Sequence, residues 1–293
     1  MTDLAFLTFL VVDGALSGAI YALVALTFVV VYKASRIANF AVGEFTTLAA
    51  RMVGAGQHAL GLGGALGIAC LGMVAVAVAV NRVILHPLAG QPLMSLIMVT
   101  IGLGALMQGS TAIAFSGISG RIATPGGPLV VGALPLAQDR LVAALVACAC
   151  VLAVSWFFRA SRTGLALRAI ASNPQVAMGV GIDIHRHFAI AWALAGVLSV
   201  LGGTLWTLAS GGGFGLQLLG LKVFPIVILG GLDSIPGTII GALCVGVLES
   251  VAAGYIDPVV GSAFSQVAAY LVLLAVLLVR PYGLFGRPDI DRV

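Results

Sequence analysis

Runs of about 20 apolar residues recur along almost the whole of this chain, and few charges interrupt them. A helix needs roughly 17–25 such residues to cross a bilayer. Candidate crossings fall at residues 13–32, 37–53, 60–81, 93–115, 141–158, 188–209, 219–232, 236–251 and 264–279. The reading is an all-α polytopic membrane protein of about eight or nine transmembrane helices, one domain over residues 1–293. Composition excludes the alternative of a water-soluble fold. The chain is 61% hydrophobic and 8% charged, whereas soluble domains carry about 25% charged residues, so too few polar side chains exist to cover a soluble surface. The N-terminal apolar stretch follows Asp3 rather than a basic residue and runs on past Asp13, too long for the core of a cleaved signal. It reads as retained.

Two of the candidate crossings are short or interrupted. Residues 37–53 hold Asn39, Gly43 and Glu44, with Gly43 placed to break the helix beside the carboxylate. Residues 222–237 hold Pro225 and Pro236, which lack backbone donors, together with Gly230, Gly231 and Asp233. Broken helices in a bilayer expose backbone polar groups, and this is tolerated only where protein or a water-filled cavity surrounds them. One broken segment in each half is the pattern of an inverted-repeat transporter. Asn39, Gly43, Glu44, Gly230, Gly231 and Asp233 are therefore the candidate substrate-path residues. Ionisable groups inside spans are costly and mark sites by default, but Glu44 equally suits a structural role, capping a half-helix or pairing with Lys33 or Arg36. Whether residues 37–53 cross or re-enter is open at this level. Glu249 closes a span and reads as interfacial, and Gln108 reads as a buried partner for a neighbouring helix. Gly14/Gly18, Gly63/Gly67 and Gly237/Gly241 are GxxxG pairs, which permit close helix approach in lipid.

Residues 159–187 form a polar, basic island in this apolar chain. It carries Arg159, Arg162, Arg168 and Arg186, and two of the four histidines. Asn173 is a good helix N-cap and Pro174 a good first-turn residue, and Gly179 and Gly181 are placed to end the short helix they start. Ile182 completes the stretch. Two short helices that cannot span, set among arginines, point to a docking surface for a soluble partner, with Arg162 and Arg168 facing lipid phosphates or partner carboxylates. With this island on the cytoplasmic side, ten of the 14 basic residues fall inside. Arg51, Arg121, Arg140 and Lys222 fall outside, in keeping with the positive-inside rule. Residues 116–140, rich in turn signals at Pro125, Pro128 and Pro135, become the largest outer loop, a resting place for an external partner or a plain connector.

Several chemistries are missing. The chain has no GxxxxGK[ST] phosphate loop, so it does not bind ATP in that way, and no HExxH for a zinc protease. A serine nucleophile requires a base. Gly117-Ile118-Ser119-Gly120 matches a membrane-protease serine motif but sits in a turn-rich loop with no histidine beside it. Cys70, Cys148, Cys150 and Cys244 lie in apolar runs without pairing or metal-ligand spacing. No enzyme, metal site or cofactor is expected. Most arginines occupy short inter-helix loops, which argues against a nucleic-acid partner.

At the blocks 14–26, 37–44, 168–173 with 179–182, 229–241 and 280–287 the chain resembles the inner-membrane permeases of bacterial branched-chain amino-acid ABC importers. Val42 stands where that family's Asn-Phe-Ala-His-Gly-Glu block has histidine. The resemblance implies a helical permease paired with a second permease subunit. It also implies two cytoplasmic ATP-binding subunits, which would hold the ATP, and a periplasmic substrate-binding protein that delivers a branched-chain or related amino acid. Residues 168–182 would be the segment seated in the ATPase. Relatives of this kind carry urea, amides, other amino acids and small organic acids. The rival to this reading is an ion-coupled secondary transporter working through Glu44 or Asp233.

Overall fold

A computed structural model describes residues 3–88, 91–117, 128–131, 134–210, 215–261, 264–280 and 283–286. Among them six helical stretches are long and apolar enough to cross a membrane, and two shorter apolar helices accompany them. The first, α1 (Asp3–Ser35), is apolar on every face and lies at the centre of the bundle, with Ile20, Leu23, Val24, Leu26, Val29 and Val30 sealed from the surface. A helix that is apolar all round has no polar face to present, and burial is its stable position.

The second element, α2 (Val42–Ala79), is two antiparallel arms rather than one rod. Gly61 leaves helical geometry at φ 68° and ψ 171°. Along a continuous helix residues 56 and 65 would stand about 13 Å apart. Instead a Cβ on Gly56 would lie 3.2 Å from the Ala65 Cβ. The first arm, residues 42–60, is about 28 Å long at 1.5 Å per residue. With these arms counted separately, described helices occupy all nine stretches that hydropathy marked.

A π-helical turn, Val80–Leu85, ends the second arm, and α3 (Leu93–Ala114) follows. The connector beyond it holds a small antiparallel hairpin, β1 (Pro128–Val131) with β2 (Leu134–Ala137), Pro128 facing Ala137 and Val131 facing Leu134. Ser119 and Gly120 of the serine motif, Arg121 and Pro125 lie outside the described residues, as do Arg287 and Arg292 of the charge tally.

Next come α4 (Gln138–Ala160), α5 (Arg162–Ser172), α6 (Pro174–Gly179) and α7 (Ile184–Ser210). They are followed by α8 (Gly215–Gly230), α9 (Ile235–Tyr255), the single turn α10 (Asp257–Val260) and α11 (Phe264–Val279). The helix α8 continues without a break across Pro225, so the interruption expected inside residues 222–237 falls at its end, in the turn at 231–234. Pro225 costs one hydrogen bond to the preceding turn, which packing on both sides of α8 outweighs.

Glycines set how closely these helices meet. A Cβ on Gly14 would lie 2.7 Å from the Gly246 carbonyl oxygen, and one on Gly18 would lie 2.8 Å from that of Ala242, so α1 and α9 touch backbone to backbone. Gly241 is as close to α8, where a Cβ on it would lie 2.7 Å from the Ile226 oxygen. Gly63 and Gly67 meet nothing within 4 Å. Of the three GxxxG pairs, Gly14/Gly18 and Gly237/Gly241 are packing surfaces and Gly63/Gly67 is not. Gln108, expected to be buried, lies on the exposed face of α3.

Candidate substrate path and coupling surface

The break between α1 and α2 is a tight, internally satisfied turn. Arg36 adopts φ 56°. Asn39 is buried, and its Oδ1 accepts from the Ala41 N–H at 3.1 Å, so its side chain is spent on starting α2. Gly43 lies directly against Gly220 of α8, and Phe40 stacks on Phe224 with centroids 4.8 Å apart. Glu44 sits in the first turn of α2, facing α3, where a Cβ on Gly104 would lie 3.9 Å from its Cγ. Its Oε2 is buried with no hydrogen-bond partner. Neither ion pair among the described residues includes it, so the pairing with Lys33 or Arg36 is not made. The positive end of the helix dipole favours a carboxylate there, but one oxygen is left without a donor. Glu44→Gln is expected to leave thermal stability unchanged or slightly raised while uptake falls roughly fivefold. Melting curves and uptake kinetics on the same variant check this, and unchanged kinetics would reduce Glu44 to a helix-start residue.

The second predicted segment is a packed backbone corner. Gly230 abuts Gly237, and Gly231, at φ 99°, would place a Cβ 2.6 Å from the Gly286 nitrogen. The Leu284 N–H donates to the Leu229 carbonyl at 2.8 Å. Lys33 Nζ donates to the Asp233 backbone oxygen at 3.3 Å, which ties the end of α1 to this turn. Gly43 is level with Gly220, whereas Gly230 lies about 15 Å further along α8. The two predicted halves are therefore not joined into one site.

The basic island folds as its capping signals require. Ser161 Oγ accepts from the Gly164 N–H at 2.9 Å, and Gly164 packs so tightly that a Cβ would lie 2.6 Å from the Phe157 and Phe158 oxygens. That contact turns α4 sharply into α5, which buries Gly164, Leu167 and Ile170 against the bundle. Arg168 reaches back to the Gly164 and Arg159 carbonyls, both at 3.4 Å, and so steadies the corner, while Arg162 is exposed. Asn173 Oδ1 caps α6 by accepting from the Val176 N–H at 3.1 Å, with Pro174 in the first turn. Beyond Gly179 the helix is closed by Gly181, at φ 84°, and by the Ile182 N–H, which donates to the Ala177 oxygen at 3.0 Å. This is the αL closure that glycine permits.

One polar cluster was not anticipated. Lys222, counted on the outer side of the short crossing at 219–232, lies within α8, and Glu249, expected at an interface, lies within α9 with its side chain turned inward to form an ion pair with Lys222. Tyr21 of α1 joins them: its hydroxyl donates to Glu249 Oε2 at 2.8 Å and accepts from Lys222 Nζ at 3.3 Å. Arg140, in the first turn of α4, pairs with Asp13. All five line one cavity of about 380 Å³. The available signal was two opposite charges inside apolar spans; their partnership across 27 residues needs the fold.

A model of the family described as "branched-chain amino acid transport system / permease component" matches residues 10–279. The chain belongs to this family. The permease is 29% identical over 308 residues to the high-affinity branched-chain amino acid transport system permease protein LivH of Escherichia coli (strain K12), with 96% of each chain covered. It is 30% identical over 305 residues to the corresponding protein BraD of Pseudomonas aeruginosa, again over 96% of each. Among solved structures, PsaBC from Streptococcus pneumoniae in complex with Fab matches with a TM-score of 0.50 at 16% identity, covering 93% of this chain and 92% of that one. That is a likeness of fold. The permease is thus a multi-pass membrane protein and one component of an ABC transport system.

Proposed function

We propose that the permease is the membrane subunit of an ATP-driven importer for branched-chain or chemically related amino acids in the inner membrane of a bacterium. In this reading a second permease subunit completes the pore, two cytoplasmic ATP-binding subunits supply the energy, and a periplasmic binding protein delivers the solute. ATP is bound by those partners. The permease itself catalyses no reaction and carries no metal. It is one domain with residues 159–187 in the cytoplasm and residues 116–140 outside, and the proposed substrate path passes Glu44.

The observation that carries this reading is the α5–α6 unit. It is held to the bundle by a buried apolar face, yet it presents Val176, Met178 and Val180 at 62, 55 and 72% exposure, with Arg162 exposed at the start of α5. Apolar side chains clustered on the polar segment of a membrane protein mark a protein-contact surface. Arg162, Arg168, Asn173, Pro174, Gly179, Gly181 and Ile182 build it or hold its shape. The relatives that match over 96% of the chain are described as branched-chain amino acid transport system permease proteins, which supports the substrate class.

The test is mild purification of the tagged permease from native membranes, followed by mass spectrometry of its companions and ATP-driven uptake in liposomes. A P-loop ATPase and a second permease are the expected companions. A chain that purifies alone and moves solute down an ion gradient would instead make it a secondary transporter. Uptake of urea, an amide or a small organic acid but not leucine would correct the substrate class.

A further inference from the structure

The Tyr21–Lys222–Glu249 cluster lies deep in the bundle. Lys222 is about 12 Å along α8 from its end at Gly230, and Glu249 about 21 Å along α9 from Ile235. Their side chains are only 16 and 18% exposed. The Asp13–Arg140 pair lies in the same cavity, at the start of α4, and α4 carries the chain about 34 Å from there to α5. The cavity thus lies away from the α5–α6 surface, at the other end of the bundle.

Stability does not explain these charges. Desolvating two ions offsets most of what their attraction returns, and an apolar pair of the same volume would hold α8 to α9 at least as well. Ionisable groups kept inside a span mark a solute or ion pathway. The cavity's volume of about 380 Å³ falls in the range of small-molecule sites. An α-amino acid carries one ammonium and one carboxylate on the same carbon, which is the charge complement of a lysine facing a glutamate. Such a zwitterion opens the Lys222–Glu249 pair by taking both partners, so the number of unpaired charges in a low-dielectric site stays at zero. A ligand with one charge leaves one protein charge unpaired, which a buried site does not tolerate.

We propose that this cavity is a transit site for the amino-acid zwitterion on the outer half of the permease, with Lys222 holding the carboxylate, Glu249 the ammonium, and Tyr21 positioned to follow either. The inference rests on the importer reading above and names the group that reads the solute. Trp206 lines the same cavity, 5.4 Å from the Tyr21 ring.

The test uses the assembled importer in liposomes with L-leucine. Lys222→Met and Glu249→Gln are each expected to lower ATP-driven uptake roughly tenfold or more, with the ATPase subunits still attached. The double variant Lys222→Glu/Glu249→Lys restores an ion pair between α8 and α9 but reverses its polarity, and its uptake is expected to stay as low. Recovery by the double variant to within about twofold of wild type would make the pair a mere staple and overturn the proposal, as would near-normal uptake by either single variant. Ser250 also lines the cavity, so Ser250→Cys, with Cys70, Cys148, Cys150 and Cys244 replaced by alanine, reads it with its charges intact. Millimolar L-leucine is expected to slow maleimide labelling of this thiol, while 4-methylpentanoate and 3-methylbutylamine, each singly charged, leave it unchanged. Equal labelling in all cases, or equal protection by all compounds, overturns the proposal. Loss of the ATPase from the wild-type preparation sinks the importer reading instead, and the labelling result stands apart from it.

Discussion

Gly246→Leu is expected to abolish accumulation of folded permease, while Gly67→Leu leaves it unchanged. A Cβ on Gly246 would meet the Gly14 carbonyl and stand 2.7 Å from the Gly18 Cα. Those atoms are backbone and have no rotamer to yield, so α1 and α9 must separate. Ordinary overpacking costs about 1–3 kcal/mol, and displacing the central helix of the bundle costs more, which is comparable to the net stability of many proteins. Helix propensity works the other way, since leucine is roughly 1 kcal/mol better than glycine in a helix interior. A loss at position 246 is therefore a packing effect. Gly67 meets nothing within 4 Å and is exposed. Size-exclusion profiles of detergent extracts from matched membranes measure both variants. A monodisperse Gly246→Leu peak of wild-type height would contradict the backbone contact between α1 and α9.

Gly181→Val and Asn173→Ala are expected to cut ATP-driven uptake roughly tenfold without loss of membrane-inserted protein. The helix α6 has six residues, and so short a helix cannot repay its own nucleation in water. It depends on its two ends. Asn173 supplies the cap at one end, worth about 1 kcal/mol. Gly181 closes the other at φ 84°, where a β-branched residue costs about 1–3 kcal/mol. Either change rivals the whole stability of the element, yet neither touches the spans. Uptake and ATPase recovery measured on the same preparations separate the outcomes. Full uptake with α6 so weakened would show that force does not pass through it.

How much of the site was legible depended on how local its signals were. The α5–α6 unit follows from Ser161, Asn173, Pro174 and Gly181, because caps and αL turns act over three or four residues, and those residues announce them. Asn39 and Glu44 were identifiable as polar groups in an apolar run, but not the use each is put to. Asn39 satisfies its own turn, and only the packing of α3 beside Glu44 leaves one carboxylate oxygen without a donor. In the sequence the segment around Gly231 and Asp233 reads as a broken crossing, because prolines and glycines look alike whether they break a helix or let two backbones touch. There they let the tail at Gly286 lie against the turn. Lys222 and Glu249 are legible as charges in or at the end of apolar spans, but their pairing across 27 residues is not.

The sequence by itself determined the positions of the apolar stretches, the family, and the shape of the capped polar segment. Each of these depends on hydropathy summed along the chain or on hydrogen bonds between near neighbours. Only the tertiary structure decided that α1 lies at the centre and that α2 doubles back at Gly61. It alone showed which GxxxG pairs are contacts and which two charges meet around Tyr21. Those outcomes depend on pairs of residues far apart in the chain. In a bilayer almost every span is apolar enough to face lipid or protein, so apolarity cannot choose the neighbour. Backbone approach at glycine and the need of a buried charge for its opposite make that choice.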